Sequence, residues 1–189
     1  MVKFSVVVPA YNEEKYIRRT LQAIRSQTFT DFEVIVKDGE SHDQTIKIAK
    51  KFADKVVSVP DCSAADARNQ GAQYAKGEIL VFMDADTFLP PGTIARFNQL
   101  MKNQRIVGVS CRKVPQSENL LDRLLYEFVN VSTFVSCKMG LGGAHGNCMS
   151  VRRRVFEQIG GFNPNIIVAE EQDLVRRTSK FGRYVFLLD

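Results

Sequence analysis

Asp84 and Asp86 stand one residue apart, directly after the apolar run of residues 78–83. Such a run reads as a buried strand, so both acids sit where the chain leaves the core. In open α/β sheets, ligands bind at the carboxyl ends of strands. Two carboxylates this close repel each other unless a cation lies between them and a ligand. Their hard oxygens suit Mg²⁺ or Mn²⁺, which commonly bridge one or two carboxylates to substrate phosphates. A solvated turn is the plainer alternative, because Asp is common where strands end.

Other residues fall at equivalent positions. Pro9-Ala10-Tyr11-Asn12-Glu13-Glu14 leaves a first strand for a first helix. It carries neither GxGxxG nor GxxxxGK[ST], which excludes a Rossmann dinucleotide loop and a P-loop. Tyr11 offers a face for stacking on a base, or packs where the helix begins. Glu13 and Glu14 also suit a helix N-terminus through its dipole. Asp38 ends a second strand, where a carboxylate can accept from a base N–H or a ribose hydroxyl, or serve an Asp-Gly turn. Arg68, on an alanine-rich helix before Asp84, carries a planar guanidinium that grips phosphate. Glu170-Glu171-Gln172-Asp173 opens a late helix. Its acids complement the dipole, or one of them is a general base whose clustering raises its pKa.

The elements that must position these groups follow from hydrophobic period. Strands are expected at residues 4–8, 32–36, 56–59, 78–83 and 106–111, with helices at 13–27, 43–52, 64–75 and from Pro90-Pro91 to about 101. This alternation implies an α/β fold of parallel βαβ units. The second half is less regular: an apolar helical stretch at 120–135, a glycine-rich loop at 140–146, a short strand at 147–151, helices at 155–159 and 170–181, and a last strand at 183–188. One domain spanning 1–189 is expected, and the abrupt stop after that strand reads as a longer protein cut to its soluble domain.

The chain has 189 residues, 44% hydrophobic and 25% charged, which suits one globular core. A net charge of +5 is too mild to argue for nucleic acid and suits an anionic ligand or membrane surface. Cys62, Cys111, Cys137 and Cys148 are scattered and read as small buried hydrophobes in a reducing compartment. No run is long enough to span a bilayer, and residues 1–9 do not look like a signal peptide. A cytoplasmic location is expected.

Together these motifs resemble the family 2 glycosyltransferases with the GT-A fold. The opening block around Pro9 and Tyr11, Asp38-Gly39-Glu40-Ser41-His42-Asp43, Ala67-Arg68-Asn69-Gln70-Gly71, Asp84-Ala85-Asp86, Gly146-Asn147 with Ile159-Gly160-Gly161-Phe162, and Glu170-Glu171-Gln172-Asp173-Leu174 match the family's blocks in order. The resemblance implies a mixed, mainly parallel sheet flanked by helices and a nucleotide-diphospho-sugar donor. It implies that Pro9, Tyr11, Glu13 and Asp38 line the base pocket and that Arg68 meets the nucleotide. Asp84 would meet the ribose or metal shell, and Asp86 the metal. Glu171 aligns with the catalytic Asp, with Glu170 as second candidate, and His145 and Asn147 face the acceptor or diphosphate. Two departures stand out: Gly39 replaces a frequent second Asp, and Glu171 is one methylene longer than the usual base.

The implied reaction is metal-assisted sugar transfer to an acceptor hydroxyl with inversion, the acceptor being a glycan or lipid-linked. A non-catalytic sugar-nucleotide-binding partner subunit is the alternative, and a nucleotidyltransferase is weakened by the missing phosphate loop. For residues 120–135, core packing is preferred over peripheral contact at the inner face of a membrane.

Overall fold

The computed structural model describes residues 2–60 and 63–188. Seven strands, β1 (Phe4–Ala10), β2 (Phe32–Asp38), β3 (Lys55–Ser58), β4 (Ile79–Met83), β5 (Ile106–Cys111), β6 (Cys148–Arg152) and β7 (Arg183–Leu187), form one sheet. Their order is β3-β2-β1-β4-β6-β5-β7. Among the described residues, only β6 runs antiparallel to its neighbours, β4 and β5, and every other pairing is parallel. The helices are α1 (Ile17–Arg25), α2 (Thr45–Ala49), α3 (Ala64–Ala72), α4 (Thr93–Met101), α5 (Leu120–Lys138), α6 (Arg153–Gln158) and α7 (Glu170–Thr178). This is the mixed, mainly parallel sheet with flanking helices that the resemblance implies; the antiparallel β6 departs from the purely parallel βαβ units that the alternation of elements implies.

The β-branched runs are buried on both sides, because alternate side chains of a strand point to opposite faces. Val6 and Val8 of β1 join Ile79, Val81 and Met83 of β4 in one core layer, under α1 and α4. Val7, Leu80 and Phe82 point the other way, against Phe156, Phe162 and Leu174. Phe82 sits between Phe156 and Phe162, with ring centroids 5.2 and 4.9 Å away. Helix α1 buries Ile17, Thr20, Leu21 and Ile24, the i, i+3, i+4, i+7 stripe its sequence shows. Helix α3 is capped by Ser63, whose side chain accepts from the Asp66 N–H.

Several boundaries differ from expectation. Helix α1 begins at Ile17, not near Glu13, because the Glu13 and Glu14 N–H groups are taken by Thr45 Oγ1 and Asp43 Oδ2. Helix α4 begins after Pro90-Pro91, at Thr93, where Gly92 turns at φ 90°. Of the cysteines, Cys148 is buried, Cys111 and Cys137 are half-buried, all three as free thiols, and Cys62 lies outside the described residues.

The apolar stretch at 120–135 is the main correction. It forms a helix, as its spacing implies, but its apolar stripe is not in the core. Leu120, Leu121, Leu124, Leu125 and Phe128 are exposed, whereas the buried residues of α5 are Asn130 and Thr133. Helix α5 lies against β7, with the Cys137 thiol 3.5 Å from the Tyr184 carbonyl, and buries polar side chains towards the protein. Asn130 accepts the Lys113 N–H and donates to the Lys113 carbonyl, which satisfies its buried amide.

Candidate active site

The ends of β1 and β2 are tied together by side chain to backbone hydrogen bonds. The Asn12 N–H donates to Ser41 Oγ, and the His42 N–H to Asn12 Oδ1. The Gln44 N–H donates to Glu14 Oε2. Asn12 and Glu40 adopt positive φ (55° and 64°), local strain of the kind that concentrates at binding loops. Asp38 is fully buried at the end of β2. Its carboxylate accepts the Ser41 N–H and the Ser41 and Ser58 hydroxyls. Tyr11 projects into solvent at the adjoining end of β1, and Pro9 is half-buried beside it. Because β1 lies between β2 and β4, Asp38 and Asp84 share one edge of the sheet.

Arg68 is the hinge of the site. Helix α3 packs on β1 and β2 and buries its guanidinium almost completely. One terminal nitrogen donates to Glu170 Oε1 at 2.5 Å, the other to Asp84 Oδ1 at 2.9 Å. The late acidic helix and the Asp84 strand are thus joined through one cation. Ala169, at φ 63°, turns the chain into α7 and directs consecutive acids to different places. Glu170 is buried against Arg68. Glu171 is half-buried, and burial raises its carboxyl pKa, with Glu170 raising it further and Arg68 and Lys113 opposing. A raised pKa is what a carboxylate acting as a general base requires.

The glycine-rich loop closes over this pair. A Cβ on Gly146 would lie 3.1 Å from an Arg68 terminal nitrogen and 3.7 Å from the Glu171 carboxyl carbon. Gly143 is wedged against the Cys137 and Thr133 backbone of α5, and Gly142 against Gln172 of α7. Asn147 follows, its carbonyl accepting the Asp84 N–H. A cleft of about 370 Å³ is lined by Asp84, Asp86, Asn147, Lys113 and Tyr126, the size of a small-ligand site. Glu13 reaches the same cluster: burial raises its pKa, and Asp86, Asp43 and Asp84 add to that. His145 is buried, its ring edge-on to Phe186 at 5.3 Å and its Nε2 3.2 Å from Asn130 Oδ1. Burial and the Lys113 charge depress its pKa to about 4, so the imidazole is neutral.

A model of "Glycosyl transferase family 2" matches residues 5–160, most of the chain. This chain belongs to that family. The family 2 match is supported by relatives. Poly(ribitol-phosphate) beta-N-acetylglucosaminyltransferase TarS of Staphylococcus aureus is 36% identical over 62% of this chain and 23% of its own length. Probable glycosyltransferase YdaM of Bacillus subtilis is 27% identical over 97% of this chain and 48% of its own. This family 2 chain therefore spans from about a quarter to half of those relatives. Among solved structures, mannosyltransferase PcManGT of Pyrobaculum calidifontis, in complex with GDP-Man and Mn²⁺, is 25% identical with a TM-score of 0.83 over 100% of this chain and 55% of that one. The S. aureus TarS 1–349 structure with UDP-GlcNAc superposes with a TM-score of 0.74 at 24% identity, over 99% of this chain and 56% of that one, and shares the fold.

The donor set fits a divalent ion. Asp84 and Asp86 supply hard oxygens, and the side-chain oxygen of Asn147 is buried with no hydrogen-bond partner. Among the described residues, no cluster of three or more His, Cys, Asp or Glu could hold an ion alone. Substrate phosphates and water would have to complete the shell, as is usual for Mg²⁺. Two contributors escape sequence reading. Lys113 influences both Glu171 and His145. Asn130 orients His145, and its one signal is a polar residue inside an apolar helix.

Proposed function

We propose that the chain is a catalytic domain, spanning 1–189, that transfers a sugar from a nucleotide-diphosphate donor to an acceptor hydroxyl with inversion. The observation that carries the reading is the Arg68 clasp. It joins Asp84 to Glu170 and leaves Glu171 beside Gly146, free of an ion pair among the described residues and with its pKa raised. Glu171, rather than Glu170, takes the proton from the acceptor hydroxyl. Glu170 holds Arg68 in place. Arg68 lies where the departing diphosphate's charge would gather and supports it electrostatically. Asp84 and Asp86 hold a divalent ion, Mg²⁺ or Mn²⁺. When bound, such an ion neutralises diphosphate charge as a Lewis acid. Tyr11, Pro9 and Glu13 form the base pocket, and buried Asp38 shapes its floor through Ser41 and Ser58, as the knitted loops at the ends of β1 and β2 suggest. Asn147 faces the acceptor or diphosphate, and His145 supports it from beneath. Inversion follows from a base acting on the face opposite the leaving group, as in inverting glycoside hydrolysis.

The donor class is supported by PcManGT and TarS, whose structures hold GDP-Man and UDP-GlcNAc. The acceptor is a glycan or lipid-linked hydroxyl, and the site of action is the cytoplasmic side of a membrane. No helix among the described residues is long and apolar enough to cross one. The test is turnover of a panel of nucleotide sugars with Mn²⁺. Glu171→Gln should lower transfer by about 10²–10⁴-fold while donor binding persists, and Asp86→Ala should abolish metal-dependent turnover. Near wild-type transfer by either variant would refute the assignment.

A further inference from the structure

We propose that the outer face of α5 docks the protein on an anionic lipid surface, with Lys138 and Arg183 beside it meeting lipid phosphates. The helix is amphipathic with its faces reversed: polar Asn130 and Thr133 point to the protein, and the apolar residues point to solvent. Leu120, Leu121, Leu124, Leu125, Phe128, Val131 and Val135 are 48–73% exposed. At 100° per residue they fill an arc of about 140°. No carboxylate lies in that arc. Asp122 is on the other side, and Glu127, at its border, is paired with Arg112. Exposed Met139 and Leu141 continue the surface past the helix end. A two-helix seam needs only a narrow stripe, whereas a flat apolar boundary touches a wide one.

Charge decides between a bilayer and a second copy of the chain. Where the apolar face ends, a cleft of about 400 Å³ lies between α5 and β7, lined by Phe134, Lys138, Gly140, Ser179 and Arg183 with no carboxylate. Neither cation makes an ion pair among the described residues; Lys138 Nζ lies 4.8 Å from the Phe134 ring centroid. Cations at the margin of an apolar face meet phosphates above acyl chains. A second copy laid face to face would bring the same apolar arc, in which no carboxylate lies to meet these cations. The inner face of α5 contacts the site through Asn130, His145 and Lys113, so docking would set the cleft beside the lipid. This deepens the lipid-linked acceptor reading, on which it rests only for the acceptor.

The test is co-sedimentation of the chain with vesicles of phosphatidylcholine alone, or with phosphatidylglycerol added, while donor hydrolysis is measured in the same samples. The chain should bind the anionic vesicles more tightly. Leu124→Glu with Phe128→Glu should abolish vesicle binding without moving the thermal melt, since both side chains are solvent-exposed, or donor hydrolysis. Lys138→Gln and Arg183→Gln should each weaken binding to anionic vesicles about fivefold and leave the thermal melt unchanged. No vesicle binding, or a dimer dispersed by the Leu124 and Phe128 changes, would overturn the proposal. Equal binding to both vesicle types would overturn the role of the two cations. Donor hydrolysis reports on the transferase reading separately.

Discussion

His145 should make folding stability depend on pH in a calculable way. Asn130 cannot be reversed in its site, because its oxygen accepts the Lys113 N–H and its nitrogen donates to the Lys113 carbonyl. The oxygen at 3.2 Å from His145 Nε2 is therefore an acceptor, and the neutral imidazole must donate from Nε2. A proton added at Nδ1 would be buried beside Phe186 with Lys113 nearby, which depresses the pKa from 6.5 to about 4. With the folded value below the unfolded one, the stabilisation is fully present above pH 6.5 and is lost as pH falls towards 4. A tenfold difference in proton affinity between the folded and unfolded states is worth about 1.4 kcal/mol, so the full loss is about 3 kcal/mol, of which about 2 kcal/mol is gone by pH 5. Urea unfolding of the wild type and His145→Gln at pH 7.5 and pH 5 isolates this group from other titrations. The stability advantage of the wild type over the variant should shrink by about 2 kcal/mol between the two pH values. A difference that stays constant with pH would refute the reasoning.

Glu171 gives the opposite sign. Its folded pKa is raised, so its contribution is present at low pH and lost as pH rises through that value. Glu171→Gln should therefore stabilise the fold at neutral pH and not in acid, checked by thermal melts across pH. Ala169→Gly should stabilise by about 1 kcal/mol in urea unfolding, because a left-handed φ of 63° strains alanine and not glycine. Gly143→Ala should cost about 1–3 kcal/mol in the same assay, since its methyl would meet the Cys137 nitrogen and Thr133 carbonyl within 2.6 Å, and backbone cannot swing aside as a flexible side chain can.

Sequence alone determined the strand before Asp84, because five consecutive apolar residues ending in two acids can be satisfied only by burial and then emergence. It determined a helical stretch at 120–135 for the same kind of reason, since apolar spacing dictates a period, and the helix runs on to Lys138. Tertiary structure decided which face of that helix meets the protein. Both a polar and an apolar stripe were present, and the choice depends on what else covers the sheet. Structure also separated Glu170 from Glu171. Adjacent helix positions differ by about 100° in direction, so Glu170 reaches Arg68 while Glu171 turns towards Gly146, and no spacing in the chain says which. The reversed direction of β6 and the joining of Asn130 to His145 were likewise invisible, because they arise from contacts between segments that only packing brings together.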